Sequence, residues 1–108
     1  MNKLAVIAIG GNAIIQEGQK GTVEEQFQNV RQSCDPIIDL LEDGYRVVLT
    51  HGNGPQVGNI LLKVEAAKDI VAVNPLDICG AETQGSLGYI IQQSLYNRMR
   101  EREIGRAH

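Results

Sequence analysis

Twice in this chain an unbroken apolar run stops at a glycine turn. Leu4-Ala5-Val6-Ile7-Ala8-Ile9 leads into Gly10-Gly11-Asn12, and Arg46-Val47-Val48-Leu49 leads into Thr50-His51-Gly52-Asn53-Gly54-Pro55-Gln56-Val57-Gly58. A continuous apolar run, unlike an alternating one, fits a parallel strand covered on both faces. The second unit continues into the apolar Ile60-Leu61-Leu62, so it reads as strand, glycine turn and helix start. In open parallel sheets such turns lie at the carboxyl ends of the strands, where ligands bind.

The intervening sequence supplies the helices. Residues 10 to 21 read as loop. Thr22-Val23-Glu24-Glu25 is a capping box, in which the Thr22 hydroxyl accepts from the Glu25 amide and the Glu25 carboxylate reaches back. Val23, Phe27, Val30, Cys34, Ile37 and Leu41 then form one helical stripe that ends near Gly44, a suitable residue just past a helix end. Pro36 removes one backbone hydrogen bond and is expected to kink this helix. Pro55 suits the first position of the next helix, where its missing N–H costs nothing. That helix carries Val57, Ile60, Leu61 and Val64 and is expected to reach about Lys68. After a connection from Asp69 to Pro75, Asp77 is the expected N-cap of a last helix through Ile78, Leu87, Ile91, Leu95 and Met99. Gly80, Gly85 and Gly88 each cost that helix roughly 1 kcal/mol relative to alanine. They predict either a close approach by backbone or ligand, or an irregular start. Glu101-Arg102-Glu103 reads as a solvated helix end and His108 as a terminus without a role.

The 108 residues make one small domain at most, and the formal net charge of −3 comes without a long block of like charge. A nucleic-acid groove and an anionic membrane surface are both poor fits. No apolar run approaches the roughly 18 residues of a membrane span. The first apolar run, preceded only by Lys3, reads as a strand rather than a signal peptide, which places the chain in the cytoplasm. Cys34 and Cys79 lack a CxxC motif or a histidine at metal spacing, so they read as free thiols, and no metal site is assigned. Two parallel strands with three or four helices leave strand edges open. Such a sheet is marginal alone, which predicts the first part of a larger α/β domain or a piece that needs a partner.

Glycine turns before helices let backbone N–H groups cradle an anion or phosphate. The spacing is wrong for a dinucleotide fingerprint, and no Lys-Ser/Thr pair follows as in a P-loop. The alternative is a pair of tight turns with no ligand.

Three motifs in order, Ala8-Ile9-Gly10-Gly11-Asn12-Ala13, Thr50-His51-Gly52-Asn53-Gly54-Pro55-Gln56-Val57-Gly58-Asn59, and Pro75-Leu76-Asp77 with Thr83-Gln84-Gly85-Ser86-Leu87-Gly88-Tyr89, closely resemble the carbamate kinases of the amino acid kinase family. The resemblance implies a three-layer α/β/α sandwich on a mainly parallel sheet. Residues 1–108 would form its N-terminal, acid-substrate-binding part, with the nucleotide-binding half absent. It further implies reversible phosphoryl transfer between ATP and carbamate, giving ADP and carbamoyl phosphate, with Mg²⁺ bound through the nucleotide. Gly10, Gly11 and Asn12 would hold the transferring phosphoryl group. Gly52, Asn53 and Gly54 would surround the carbamate or carbamoyl end, with Gln84 and Ser86 lining the pocket. A homodimer and a place in arginine metabolism or purine breakdown are implied in the same way.

Many family members carry a lysine two residues before the first glycine pair. Ala8 stands there, which favours carbamate kinases over acetylglutamate or uridylate kinases. Lys3, Lys20, Lys63 and Lys68 all lie outside the glycine loops, so catalytic cations are missing from this stretch. His51 reads as a histidine that shapes the turn through backbone contact, since an anionic carbamate needs no proton removed. Gln56 and Asn59 read as site-facing or solvated amides, and Tyr89 as core or interface. The competing reading is a non-catalytic remnant or interaction module that keeps the first half of the fold and at most binds an anion.

Overall fold

In the computed structural model, which describes residues 3–106 and side chains as far as Glu103, the two apolar runs are the two strands of one parallel sheet. In order the elements are β1 (Lys3–Ile9), α1 (Gly11–Ile14), α2 (Val23–Glu42), β2 (Tyr45–His51), α3 (Gly54–Ala66) and α4 (Leu76–Arg106). The strands pair without offset, Lys3 opposite Tyr45 through to Ile9 opposite His51. Both strands therefore end at the same level, and both glycine loops leave the sheet side by side.

One face of the sheet carries the core. Ile9, Val30, Cys34, Ile37, Ile38, Leu87, Ile90 and Ile91 are buried together, with Ile7, Val47 and Leu49 packed against them. The core thus lies between the sheet and the helices α2 and α4. On the opposite face Leu4, Val6 and Val48 are 61%, 66% and 47% exposed. The described residues make two layers, and strands with the pattern of double burial are covered on one side. The chain is an α/β unit consistent with the N-terminal part of the expected sandwich.

Helix α2 starts where the capping box places it: the Thr22 hydroxyl accepts from the Glu25 amide, and the Glu25 carboxylate accepts from the Thr22 amide. Those bonds from the Thr22 and Gly21 amides hold the Glu25 carboxyl below its ordinary pKa. The helix runs through Pro36 to Glu42, and Gly44 follows at φ +90°. Val30, Cys34 and Ile37 of the expected stripe are buried and Phe27 packs against them, but the stripe departs at its ends and takes in further residues. Val23 is 58% exposed, while Asn29 and Ile38 are buried.

Three further expectations need correction. Residues 10 to 21 are not all loop, because Gly11–Ile14 form a helical turn capped by the extended Gly10. Helix α4 begins at Leu76, with Asp77 inside its first turn rather than capping it; the Cys79 amide donates to the Pro75 carbonyl. Gly80, Gly85 and Gly88 lie in continuous helix, and a Cβ on any of them would meet nothing within 4 Å among the described residues. The irregular start is therefore corrected, and no backbone of the described residues makes the close approach. Both cysteines are free and buried, and burial raises the Cys34 thiol pKa. Among the described residues no helix is long and apolar enough to cross a membrane. His108 lies outside the described residues.

The far end of α4 is not a solvated tail. Arg102 donates to Asp39 and Glu42 at 2.8 Å each, and Arg98 Nε donates to Asp35 at 2.8 Å. Glu101 accepts from Arg31 on α2 and from Arg98. The bonds from Arg31 and Arg98 depress the Glu101 pKa to about 2.

Candidate functional site

The level strand ends bring the two glycine loops into backbone contact. Beyond the last strand pair, the Gly52 amide donates to the Ile9 carbonyl at 2.9 Å. A Cβ on Gly52 would lie 3.1 Å from the Gly11 nitrogen. One on Gly11 would lie 2.9 Å from Pro55 Cδ and 3.1 Å from the Gly54 nitrogen. Glycine is required at both positions because the loops pack main chain on main chain, with no room for a side chain between them.

Each loop also starts a helical segment. Gly10 precedes α1 and Asn53 precedes α3, and neither start has a side-chain cap. The first N–H groups of a helix lack intrahelical partners and carry partial positive charge. Asn53 does not cap because its side chain is engaged elsewhere. Its Nδ2 donates to Thr83 Oγ1 at 3.0 Å, and Thr83 in turn donates to the Gly80 carbonyl at 2.6 Å. This chain of bonds ties the second loop to α4.

A cleft of about 640 Å³ opens beside the loops, lined by Asn12, Ile15, Gln19 and Pro55 among others. Its floor is held by Asn29, which donates to the Ile14 carbonyl at 2.8 Å and to Gln19 Oε1 at 2.6 Å. Lys20 and Lys63 line a separate cleft of about 550 Å³ between the loop before α2, α3 and α4. The glycine loops themselves, residues 10 to 12 and 52 to 54, contain no charged side chain.

The structure brings together Gly10, Gly11, Asn12, Gly52, Asn53 and Gly54 as one loop pair. Gln84 is exposed, one position along α4 from the Thr83 that touches the second loop. His51 Nδ1 lies 3.3 Å from the Gly52 carbonyl, a local backbone contact of the kind expected of a turn-shaping histidine. Tyr89 is 59% exposed and meets Phe27 edge-on at 6.5 Å, so it is not a core residue. Sequence reasoning missed Thr83, whose flank by Gly80 and Gly85 marked the face without marking the residue. It also undervalued Gln56, which is 6% exposed and donates from Nε2 to the Gly11 carbonyl at 3.3 Å.

Among the described residues no three His, Cys, Asp or Glu side chains converge to hold a metal ion. The uncapped amides are donors, and donors suit an anion.

Comparison with known proteins identifies the family. Residues 3–105 match the amino acid kinase family. A carbamate kinase of Thermococcus kodakarensis is 52% identical over 105 residues, covering 94% of this chain and 33% of that protein. A carbamate kinase-like protein of Escherichia coli is 45% identical over 101 residues, with 92% and 32% covered. The structure of carbamate kinase from Giardia lamblia bound to AMP-PNP superposes with a TM-score of 0.89 at 42% identity, covering 94% of this chain and 36% of that one. This chain spans about a third of the length of the curated relatives it matches. On sequence and fold together, it belongs to the amino acid kinase family.

Proposed function

We propose that this chain supplies the phosphoryl- and acid-binding loops of a carbamate kinase-like phosphotransferase. In the reaction a carbamate oxygen bonds to the terminal phosphorus of ATP as the bond to ADP breaks, giving carbamoyl phosphate; the reverse reaction regenerates ATP. The carbamate oxygen is already anionic, so no general base is needed and His51 has no proton to take. Phosphoryl transfer depends on positioning and charge stabilisation, and oriented amide groups provide both.

In this reading Gly10, Gly11 and Asn12 hold the transferring phosphoryl group. Gly52, Asn53 and Gly54 surround the carbamoyl end, with Gln84 at the pocket's margin. The observation that carries it is the backbone contact between the two loops, with the Gly52 Cβ position 3.1 Å from the Gly11 nitrogen. Two uncapped helix starts stand side by side there, as the meeting of an anionic carbamate with an anionic phosphoryl group requires. In this reading Mg²⁺ arrives with the nucleotide rather than on ligands of this stretch, and no step here runs through it. Residues 1–108 are read as the acid-substrate part of the domain, with the nucleotide-binding half and the catalytic cations lying in the family's remaining length. A cytoplasmic homodimer belongs to the same reading.

A second reading, a non-catalytic module that binds at most an anion, draws on the absence of charged side chains from the two glycine loops. One assay separates the two. ATP formation from ADP and carbamoyl phosphate is measured with the 108-residue chain and with an extended version, alongside carbamoyl phosphate binding. Turnover by either excludes the module. Binding without turnover in both favours it, and absence of binding defeats both readings.

A further inference from the structure

We infer that Gln56 is a positioning residue that aims a backbone donor of the first glycine loop from the second. Its functional meaning rests on the anion-binding reading above, but the structural claim can be tested without it.

The Gln56 side chain is buried. Its Nε2 donates to the Gly11 carbonyl at 3.3 Å, bridging positions 45 residues apart in the chain. Its Oε1 is buried with no hydrogen-bond partner, and it lies 3.0 Å from where a Gly11 Cβ would sit. An unpaired buried acceptor is costly, and an apolar side chain of the same length would avoid that cost. The feature an apolar replacement cannot reproduce is the N–H donated to Gly11.

That bond acts on the next residue. The Gly11 carbonyl also accepts the Ile15 amide at 3.0 Å, so it is held from two directions. The peptide joining Gly11 to Asn12 is trans, as no cis bond occurs among the described residues. In a planar trans peptide the carbonyl and the following N–H point opposite ways. Fixing the Gly11 oxygen therefore fixes the direction of the Asn12 N–H, a first-turn donor with no intrahelical partner. Gln56 itself remains behind the loop. It governs which way the loop's donor faces, and the reach of that donor toward an anion follows.

The test compares the 108-residue chain with Gln56→Met, which keeps the length and loses the donor. In ligand-free two-dimensional amide NMR spectra, the Asn12 and Ala13 resonances are expected to move, while amides at the far end of α4 stay in place and the helical circular dichroism is retained. Titration with inorganic phosphate is expected to saturate the Asn12 amide with affinity about tenfold weaker, the loss of one hydrogen bond's worth of alignment. An Asn12 amide at its original position in a folded Gln56→Met chain overturns the inference. If phosphate moves no loop amide in the unsubstituted chain, the anion-binding reading fails, and the ligand-free spectra still decide the role of Gln56. If Gln56→Met does not fold, nuclear Overhauser contacts from the Gln56 side-chain amide to the Gly11 α-protons in the original chain support the bond, and their absence overturns it.

Discussion

Towards its far end α4 presents Arg98 and Arg102 to the carboxylates of α2; nearer its start it presents Thr83 to the second of two loops without a charged side chain. At the far end the two arginines that face α2 are each paired with carboxylates: Arg98 meets Asp35 and Glu101, and Arg102 meets Asp35, Asp39 and Glu42. At the loops, neutral amides make the contacts, and two helix starts stand uncapped. The arginines facing α2 are saturated with carboxylates. The neutral end carries the partial positive charge of two helix starts, for which an anion is the proposed complement.

Substitutions can break this contrast from either side. The largest effect is expected from Gly11→Ala, whose Cβ would press on Pro55 and on the Gly54 nitrogen at 2.9 and 3.1 Å. Overpacking of this kind costs about 1–3 kcal/mol, so both urea stability and phosphate binding should fall. Gly54→Ala separates the two properties. A Cβ there meets nothing within 4 Å, and alanine favours a helix over glycine. The variant should fold normally yet bind carbamoyl phosphate on the order of tenfold more weakly, by losing close approach to one donor. Unchanged affinity by calorimetry would remove Gly54 from the site.

Thr83→Val should cost about 1 kcal/mol, the usual net value of a lost hydrogen bond. It frees the Asn53 side chain, and the Asn53 amide should show increased hydrogen exchange. The smallest effect at neutral pH is expected from Glu101→Gln, and its signature is a changed pH profile. Glu101 is depressed to about 2 from an ordinary 4.5 by Arg31 and Arg98. A depressed carboxylate adds stability above its unfolded pKa and loses it as pH falls through the folded value. Asp35, lowered chiefly by its bond from Arg98, acts in the same direction. The urea midpoint should therefore drop between about pH 4.5 and about pH 2, and Glu101→Gln should flatten that drop. An identical profile in the variant would show that the arginine cluster is decoration.

The strands, the capping box and the loop pair were legible because each is a local pattern: a run, a four-residue box, a glycine cluster. Convergence of the loops was also legible, since two parallel strands that end alike must deliver their turns together. Gln56 was not, because a glutamine in a first helical turn looks solvated until Gly11 is seen above it. The arginine cluster escaped for a similar reason. Glu101-Arg102-Glu103 has the composition of a free helix end, and only the course of α4 alongside α2, in the same direction, supplies its partners across 60 or more residues of sequence. The glycines of α4 pointed to an irregular start, and the helix is continuous through them.

The uncovered sheet face has a consequence for how this chain behaves in concentrated solution. Among the described residues each strand has a neighbour on one side only, so each offers an unpaired backbone margin beside the bare Leu4, Val6 and Val48. Exposed margins of this kind template the addition of further strands. Arg46, exposed on the same face as Val48, puts like charge where the sheet of a second copy would have to dock. Self-association should therefore be governed by ionic strength: salt that screens this cation removes the repulsion and leaves the apolar face to act.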